Sequence, residues 1–198
     1  MNYFLHYLEH LLFFFFLIIV LNCILNPSYE SFYLFIIYFA VIISNNIFKL
    51  FTKFIYYLFN TKTLYILGSG ARPPNANSCT FTLDNTIATS FGMPSGHSQT
   101  AWVVASYLIF KIITNFYNKN NNKNNNNNKN TTLYNYIWLI VSCIIILSSA
   151  IYISYSRVYI EGCHTIQQVI IGGLIGIAVG YLIYYFENDA INLLSKIW

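Results

Sequence analysis

The sequence predicts an all-α fold, a polytopic integral membrane helical bundle of five spans or, at most, six. Three observations carry that expectation. Of the 198 residues, 57% are hydrophobic, 19% aromatic and only 8% charged, whereas roughly one-quarter of a soluble domain is charged. The apolar residues gather into runs near the ~20 residues a helix needs to cross a bilayer. No stretch has the composition of a soluble domain, so residues 1–198 are read as one membrane domain.

The first expected span runs from Glu9 to Leu25 through "LLFFFFLIIVL". It lacks a basic leader and a small-residue cleavage site, so it reads as a retained helix. Ser31 to Phe59 is too long for one upright span, and "SNN" at Ser44 to Asn46 interrupts it. It reads as one long, tilted or kinked helix; a hairpin there is what would give six spans. Further spans are expected at Gln99 to Phe116, Leu133 to Ser154 and Thr165 to Phe186. The last carries Gly172, Gly176 and Gly180 at i, i+4, i+8 spacing, a small-residue face for close helix packing.

Two connections differ in kind. "NKNNNKNNNNNKN", Asn118 to Asn130, is too polar to bury a core and reads as a disordered low-complexity loop. Its lysines read as solvated, with no nucleic acid among the expected partners. Asn60 to Met93, by contrast, contains "GSGARPPNANSC", whose Gly and Pro residues punctuate a structured turn.

Helix parity places Asn60 to Met93 and Ser156 to His164 on one side of the membrane and the Asn-rich tract on the other. Lys111, Lys119, Lys123, Lys129 and Lys196 fall on the Asn-rich side, against Lys62, Arg72 and Arg157 opposite. The positive-inside rule then makes the Asn-rich loop cytoplasmic and the other face lumenal or external. A glycan on the sequon Asn130-Thr131-Thr132 would require the reverse; Asn-rich tracts generate such triplets by chance, and the lysines are weighted more heavily.

Three motifs share the second face: Arg72 and Pro73 in "ARPP", Pro94 to His97 as "PSGH", and Ser156 to Gln168 as "SRVYIEGCHTIQQ". Arg72 and Arg157 offer planar forks of donors that match phosphate oxygens. Ser95 and Gly96 open a helix whose first N–H groups favour an anion. His97 and His164 add imidazoles able to attack phosphorus or move a proton near neutral pH. The residues by themselves describe a phosphate cradle with two candidate catalytic groups.

In order and topology the three motifs resemble the signature of the type 2 phosphatidic acid phosphatase superfamily, membrane phosphatases of lipid phosphates, from about Lys53 to Gly180. The resemblance implies that His164 is the nucleophile, forming a phosphohistidine, and that His97 protonates the leaving oxygen and then activates water. It implies no metal and no cofactor. "HTIQQ" is similar to the matching segment of dolichyl diphosphate phosphatases, which points to a polyisoprenyl diphosphate substrate and an endoplasmic-reticulum-like membrane. A glycerolipid phosphate such as phosphatidic acid is the alternative substrate, and a silent lipid-phosphate-binding protein the alternative of another class.

The chain departs from the family pattern at three places. A lysine is usual seven positions before the Arg of "RP"; here Tyr65 stands there, with Lys62 and Lys53 as the nearby candidates. Six residues separate Arg157 from His164 where five are usual. Gln168 replaces an Asp expected to orient His164; its amide oxygen can accept from the imidazole and fix the tautomer, without a carboxylate's charge. Away from these motifs, His6 and His10 flank Glu9 at helical spacing and read as interfacial. Cys23 and Cys143 read as packing residues within spans. Cys79 and Cys163 lie on the catalytic face and could pair if that face is lumenal, and the proposed chemistry does not need Cys163.

Overall fold

The structure is a computed structural model that describes residues 21, 24–25, 28–76, 87, 90–122 and 129–197. The expected first span, with His6, Glu9, His10 and Cys23, lies almost wholly outside them, as do Cys79 and residues 123–128. The described chain is an all-α membrane bundle. Four of its helices are long and apolar enough to cross a membrane.

Helix α1, Tyr29–Leu58, begins at Ser28, whose side chain accepts from the Ser31 N–H, satisfying one of the donors a helix start leaves open. Its 30 residues extend about 45 Å at 1.5 Å each, beyond a hydrocarbon core of about 30 Å, so an upright helix would project into the headgroup regions. "SNN" does not break it. Asn45 Nδ2 donates to Gln99 Oε1 at 2.8 Å and Gln99 Nε2 donates to Ser44 Oγ at 3.0 Å. The polar residues that looked like an interruption are instead paired in the interior, where leaving them unpaired would be costly.

Beyond α1 a short antiparallel ribbon forms, β1 (Thr63–Leu64) against β2 (Gly68–Ser69), with Thr63 opposite Ser69 and Leu64 opposite Gly68. Gly68 has φ +73°, a left-handed conformation that glycine adopts without steric cost. Helices α2 (Gly96–Asn122), α3 (Lys129–Tyr155) and α4 (Ile166–Tyr185) follow, then a short α5 (Glu187–Ile197). Both α2 and α3 reach into the Asn-rich tract, as far as Asn122 and back to Lys129, so its described ends are helical where a loop was expected.

The glycine face of α4 meets α2 directly. A Cβ on Gly172 would fall 2.6 Å from Ser95 O, and one on Gly176 would fall 2.5 Å from Gln99 O. These backbones approach more closely than side chains would allow, the use such stripes have in membrane helices. Next to this seam Tyr33, Ile37, Val41, Val103 and Tyr107 form a buried cluster, and Tyr33 donates to Ile183 O at 2.7 Å. Ala101 and Ala105 of α2 pack on Ala150 and Ile153 of α3. Phe116 meets Tyr136 near the other ends of the same two helices, so they run antiparallel.

The two ends of the bundle differ electrostatically. At the end where α5 begins, Glu187 accepts from Lys111 Nζ at 2.6 Å and from Tyr107 OH at 2.9 Å. The opposite end gathers the ribbon, the start of α2, the end of α3 and the start of α4, and with them all three motifs.

Candidate active site

Helix α3 ends in a π-helical turn over Ser156–Ile160, in which Glu161 N–H reaches back five residues to Ser156 O at 2.9 Å. A π turn absorbs one more residue than an α turn, and this is where the extra residue between Arg157 and His164 is accommodated. Gly162, at φ +63° with open space around it, then reverses the chain. The N–H groups of Cys163 and His164 both bond to Arg157 O, at 3.1 and 3.2 Å. Arg157 is buried and its guanidinium is ion-paired with Glu161. Sequence reasoning passed over Glu161, whose only signal was its position four residues after an arginine.

His164 is buried, and its Nδ1 lies 2.9 Å from Gln168 Oε1. Gln168 is fully buried, and its orientation follows from its other partners. Its Nε2 donates to Ser69 O at 2.9 Å and to Ala71 O at 2.7 Å, while Oε1 also accepts from Thr165 N at 3.2 Å. With the oxygen held toward the ring, His164 Nδ1 must be the donor, and Nε2 carries the free lone pair. The N–H of Gln168 bonds to Thr165 Oγ1, completing a reciprocal cap at the start of α4. Gly92 leaves room for the amide, since a Cβ there would fall 2.7 Å from Gln168 Nε2.

Arg72 joins the cluster from the other side of the ribbon. Its Nη1 donates to Cys163 O at 3.2 Å, and Nε and Nη2 both donate to Ser90 Oγ at 3.2 and 3.1 Å. Burial, and then the field of Arg157, lower its pKa from the ordinary value, with Glu161 acting in the opposite sense. Ser95 N–H donates to Gln168 O at 3.0 Å, so Ser95 offers its hydroxyl and not its N–H. That Oγ is fully buried and makes no hydrogen bond among the described residues. Gly96 begins α2 as expected, and His97 stands half-buried in its first turn within the fields of Arg157, His164, Arg72 and Lys49.

Burial, followed by the field of Arg72, lowers the His164 pKa to about 4, against the opposing hydrogen bond to Gln168. The cations acting on it are Arg72, Lys49 and Arg157. Lys62 is not among them; it is exposed on the ribbon, as is Lys53 on α1, and Tyr65 is fully exposed at the ribbon tip. The field of Lys49, on α1, does reach His164, and sequence spacing does not single it out. Cys163, next to His164, is disulfide-bonded. Among the described residues no three His, Cys, Asp or Glu side chains cluster as metal ligands do.

A membrane bundle carrying two imidazoles, two guanidiniums and a buried serine at one end defines the class to which the comparisons assign this chain. It belongs to the PAP2 superfamily, whose model matches residues 30–192. Among curated proteins it is similar to Dolichyldiphosphatase 1 of Rhinolophus ferrumequinum, 29% identical over 107 residues, 54% of this chain and 41% of that protein. The same protein of Callithrix jacchus is 32% identical and that of Homo sapiens 31%, each over 103 residues, 51% of this chain and 39% of the relative. The chain thus matches less than half the length of these relatives. No solved structure gives a significant match.

Proposed function

We propose that the protein is a lipid phosphatase that hydrolyses a polyisoprenyl diphosphate of the dolichyl type, by way of a phosphohistidine and without a metal. The observation that carries the reading is the fixed tautomer of His164, which leaves the Nε2 lone pair free on a ring lying in the fields of Arg72 and Arg157. Membership of the PAP2 superfamily and the similarity to dolichyldiphosphatases support the reaction class and the substrate.

In the first step His164 Nε2 attacks the terminal phosphorus. The bond to the leaving oxygen breaks as His97 delivers its proton, while Arg72, Arg157 and Ser95 Oγ hold the phosphoryl oxygens. In the second step water attacks phosphorus, His97 accepts its proton, and the P–N bond returns its electron pair to Nε2. Positioning and charge stabilisation supply most of the acceleration in such transfers. Gln168 keeps Nδ1 protonated throughout. The disulfide at Cys163 supports an oxidising, lumenal or external setting for this face, with the Asn-rich connection cytoplasmic.

The deciding experiment is phosphate release by the purified protein from a panel of polyisoprenyl diphosphates and monophosphates, phosphatidic acid and soluble phosphoesters. The expected result is preference for the polyisoprenyl diphosphate, activity that survives EDTA, and inhibition by vanadate. Preference for phosphatidic acid would select the glycerolipid reading. Release from none of them would select a silent binding protein, and loss on chelation restored by magnesium would require other chemistry.

The low pKa of His164 gives a second expectation. An imidazole held at about 4 is already the free base well below neutrality, and protonation removes its lone pair only as the pH falls through that value. The acid limb of kcat/KM, which reports the free enzyme, should therefore fall near pH 4. A limb near the ordinary histidine value of about 6.5 would contradict a nucleophile buried among cations.

A further inference from the structure

The ribbon leaves α1 at the end of the bundle that carries the site, and α4 fixes its depth in the membrane. Helix α4 has 20 residues, about 30 Å at 1.5 Å each, which matches the hydrocarbon core of a bilayer. Its first turn therefore marks the hydrocarbon boundary. Gly68 of the ribbon stands at that level, since a Cβ there would fall 3.2 Å from the Gln167 side chain. Tyr56 of α1 donates to Gly68 O at 2.9 Å, so the last residues of α1 reach the headgroups.

What the ribbon presents at this depth is apolar. Its turn, Tyr65 to Leu67, carries a fully exposed Tyr65 and an Ile66 that is 76% exposed. Tyr57, Leu58 and Phe59, at the end of α1, are exposed as well, so the patch continues the lipid-facing surface of a membrane span. No step of the hydrolysis uses these side chains. Exposed apolar groups gathered in one place mark a contact surface, and tyrosine suits a membrane interface, with an apolar ring and a wet hydroxyl. A two-stranded ribbon keeps outer edges of backbone polar groups, which the hydrocarbon region does not tolerate. The side chains can enter where the main chain cannot.

We propose that Tyr65 and Ile66 form a membrane anchor, seated in the headgroup and upper acyl region of the leaflet on the site's side, with the bilayer itself as partner. Zwitterionic lipid suffices, because Tyr65, Ile66 and Leu67 carry no charge. The anchor stands independently of the hydrolase reading; its bearing on the site rests on that reading. The strand after the turn supplies Ser69 O, and Ala71 O follows, the two acceptors of Gln168 Nε2. The Gly70 N–H bonds to Lys62 O at 3.4 Å across the ribbon. Seating the turn in the leaflet sets the height of these carbonyls, and with them the imidazole that Gln168 orients, at the level of a lipid headgroup.

The test uses the full chain in phosphatidylcholine nanodiscs, whose two faces are both open to water. Tyr65→Trp keeps the interfacial chemistry and adds a fluorophore, whose emission is obtained by subtracting that of the parent chain. Lipid brominated near the headgroup end of its acyl chains quenches from the membrane, and iodide quenches from water. Leu50→Trp, at an exposed position of α1, and Asn125→Trp, in the polar tract, supply the lipid and water limits. The added emission at 65 is expected to be quenched by brominated lipid and shielded from iodide relative to Asn125→Trp, and Ile66→Asp in the same chain should shift it toward the water limit. Quenching by iodide as strong as at Asn125→Trp, or by neither agent because protein covers the turn, would overturn the anchor. Either result leaves the hydrolase reading intact, since phosphate release decides that separately.

Discussion

His164→Ala is expected to lower phosphate release by about 10³-fold or more, within the range that positioned catalytic groups contribute, while the protein still folds. Among the described residues the imidazole makes one hydrogen bond, to Gln168. Gln168 keeps its bonds to Ser69 O, Ala71 O and Thr165 N without it, so the architecture around the missing ring remains tied. Rapid denaturation during turnover of labelled substrate should trap phosphate on the wild-type protein and none on the variant. Turnover at the wild-type rate in His164→Ala would rule out this nucleophile.

The second large effect is on stability. Gly176→Val should destabilise the bundle by about 3 kcal/mol or more, the upper range for overpacking, because the obstruction is main chain. A Cβ at 176 would lie 2.5 Å from Gln99 O and 3.1 Å from Val103 N, and no rotamer change moves those atoms. To relieve the clash α4 must part from α2, and Ser95 and His97 would then move away from His164. Thermal unfolding in detergent should show a lowered midpoint together with lost activity, whereas Gly162→Ala, at a position with open space around it, should show only the milder strain of its positive φ. A wild-type midpoint for Gly176→Val would mean that the two helices are not in close contact.

Much of the site could be read from the order of its motifs. Arg72, Ser95, His97, Arg157, His164 and Gln168 stand on elements that helix parity sends to one end of the bundle, and the structure brings them together there. The glycine spacing on α4 was equally legible, because a three-and-four periodicity survives without knowledge of the partner helix. The inferences that went astray assumed that nearness in sequence measures nearness in space. Lys62 is ten residues from Arg72 yet exposed, while Lys49, twenty-three residues away, acts on both histidines because a helix and a ribbon fold back between them. "SNN" read as an interruption because its partner, Gln99, belongs to another helix. The extra residue after Arg157 could be counted in the sequence, but the π turn that absorbs it could not.

Gln168 reaches the ribbon only through the carbonyl oxygens of Ser69 and Ala71, which every amino acid possesses. Selection acting on this connection therefore constrains the number of residues between Gly68 and Arg72 more than the identities of 69 and 71, with Gly70 held as well because a Cβ there would fall 2.6 Å from the Phe91 ring. The side chain at 71 takes no part in holding the amide and that at 69 only touches Ala71 O, whereas a single insertion or deletion there would shift both acceptors and release the amide that sets the histidine's tautomer. The segment would be invisible to a search for shared letters and plain in a comparison of loop lengths.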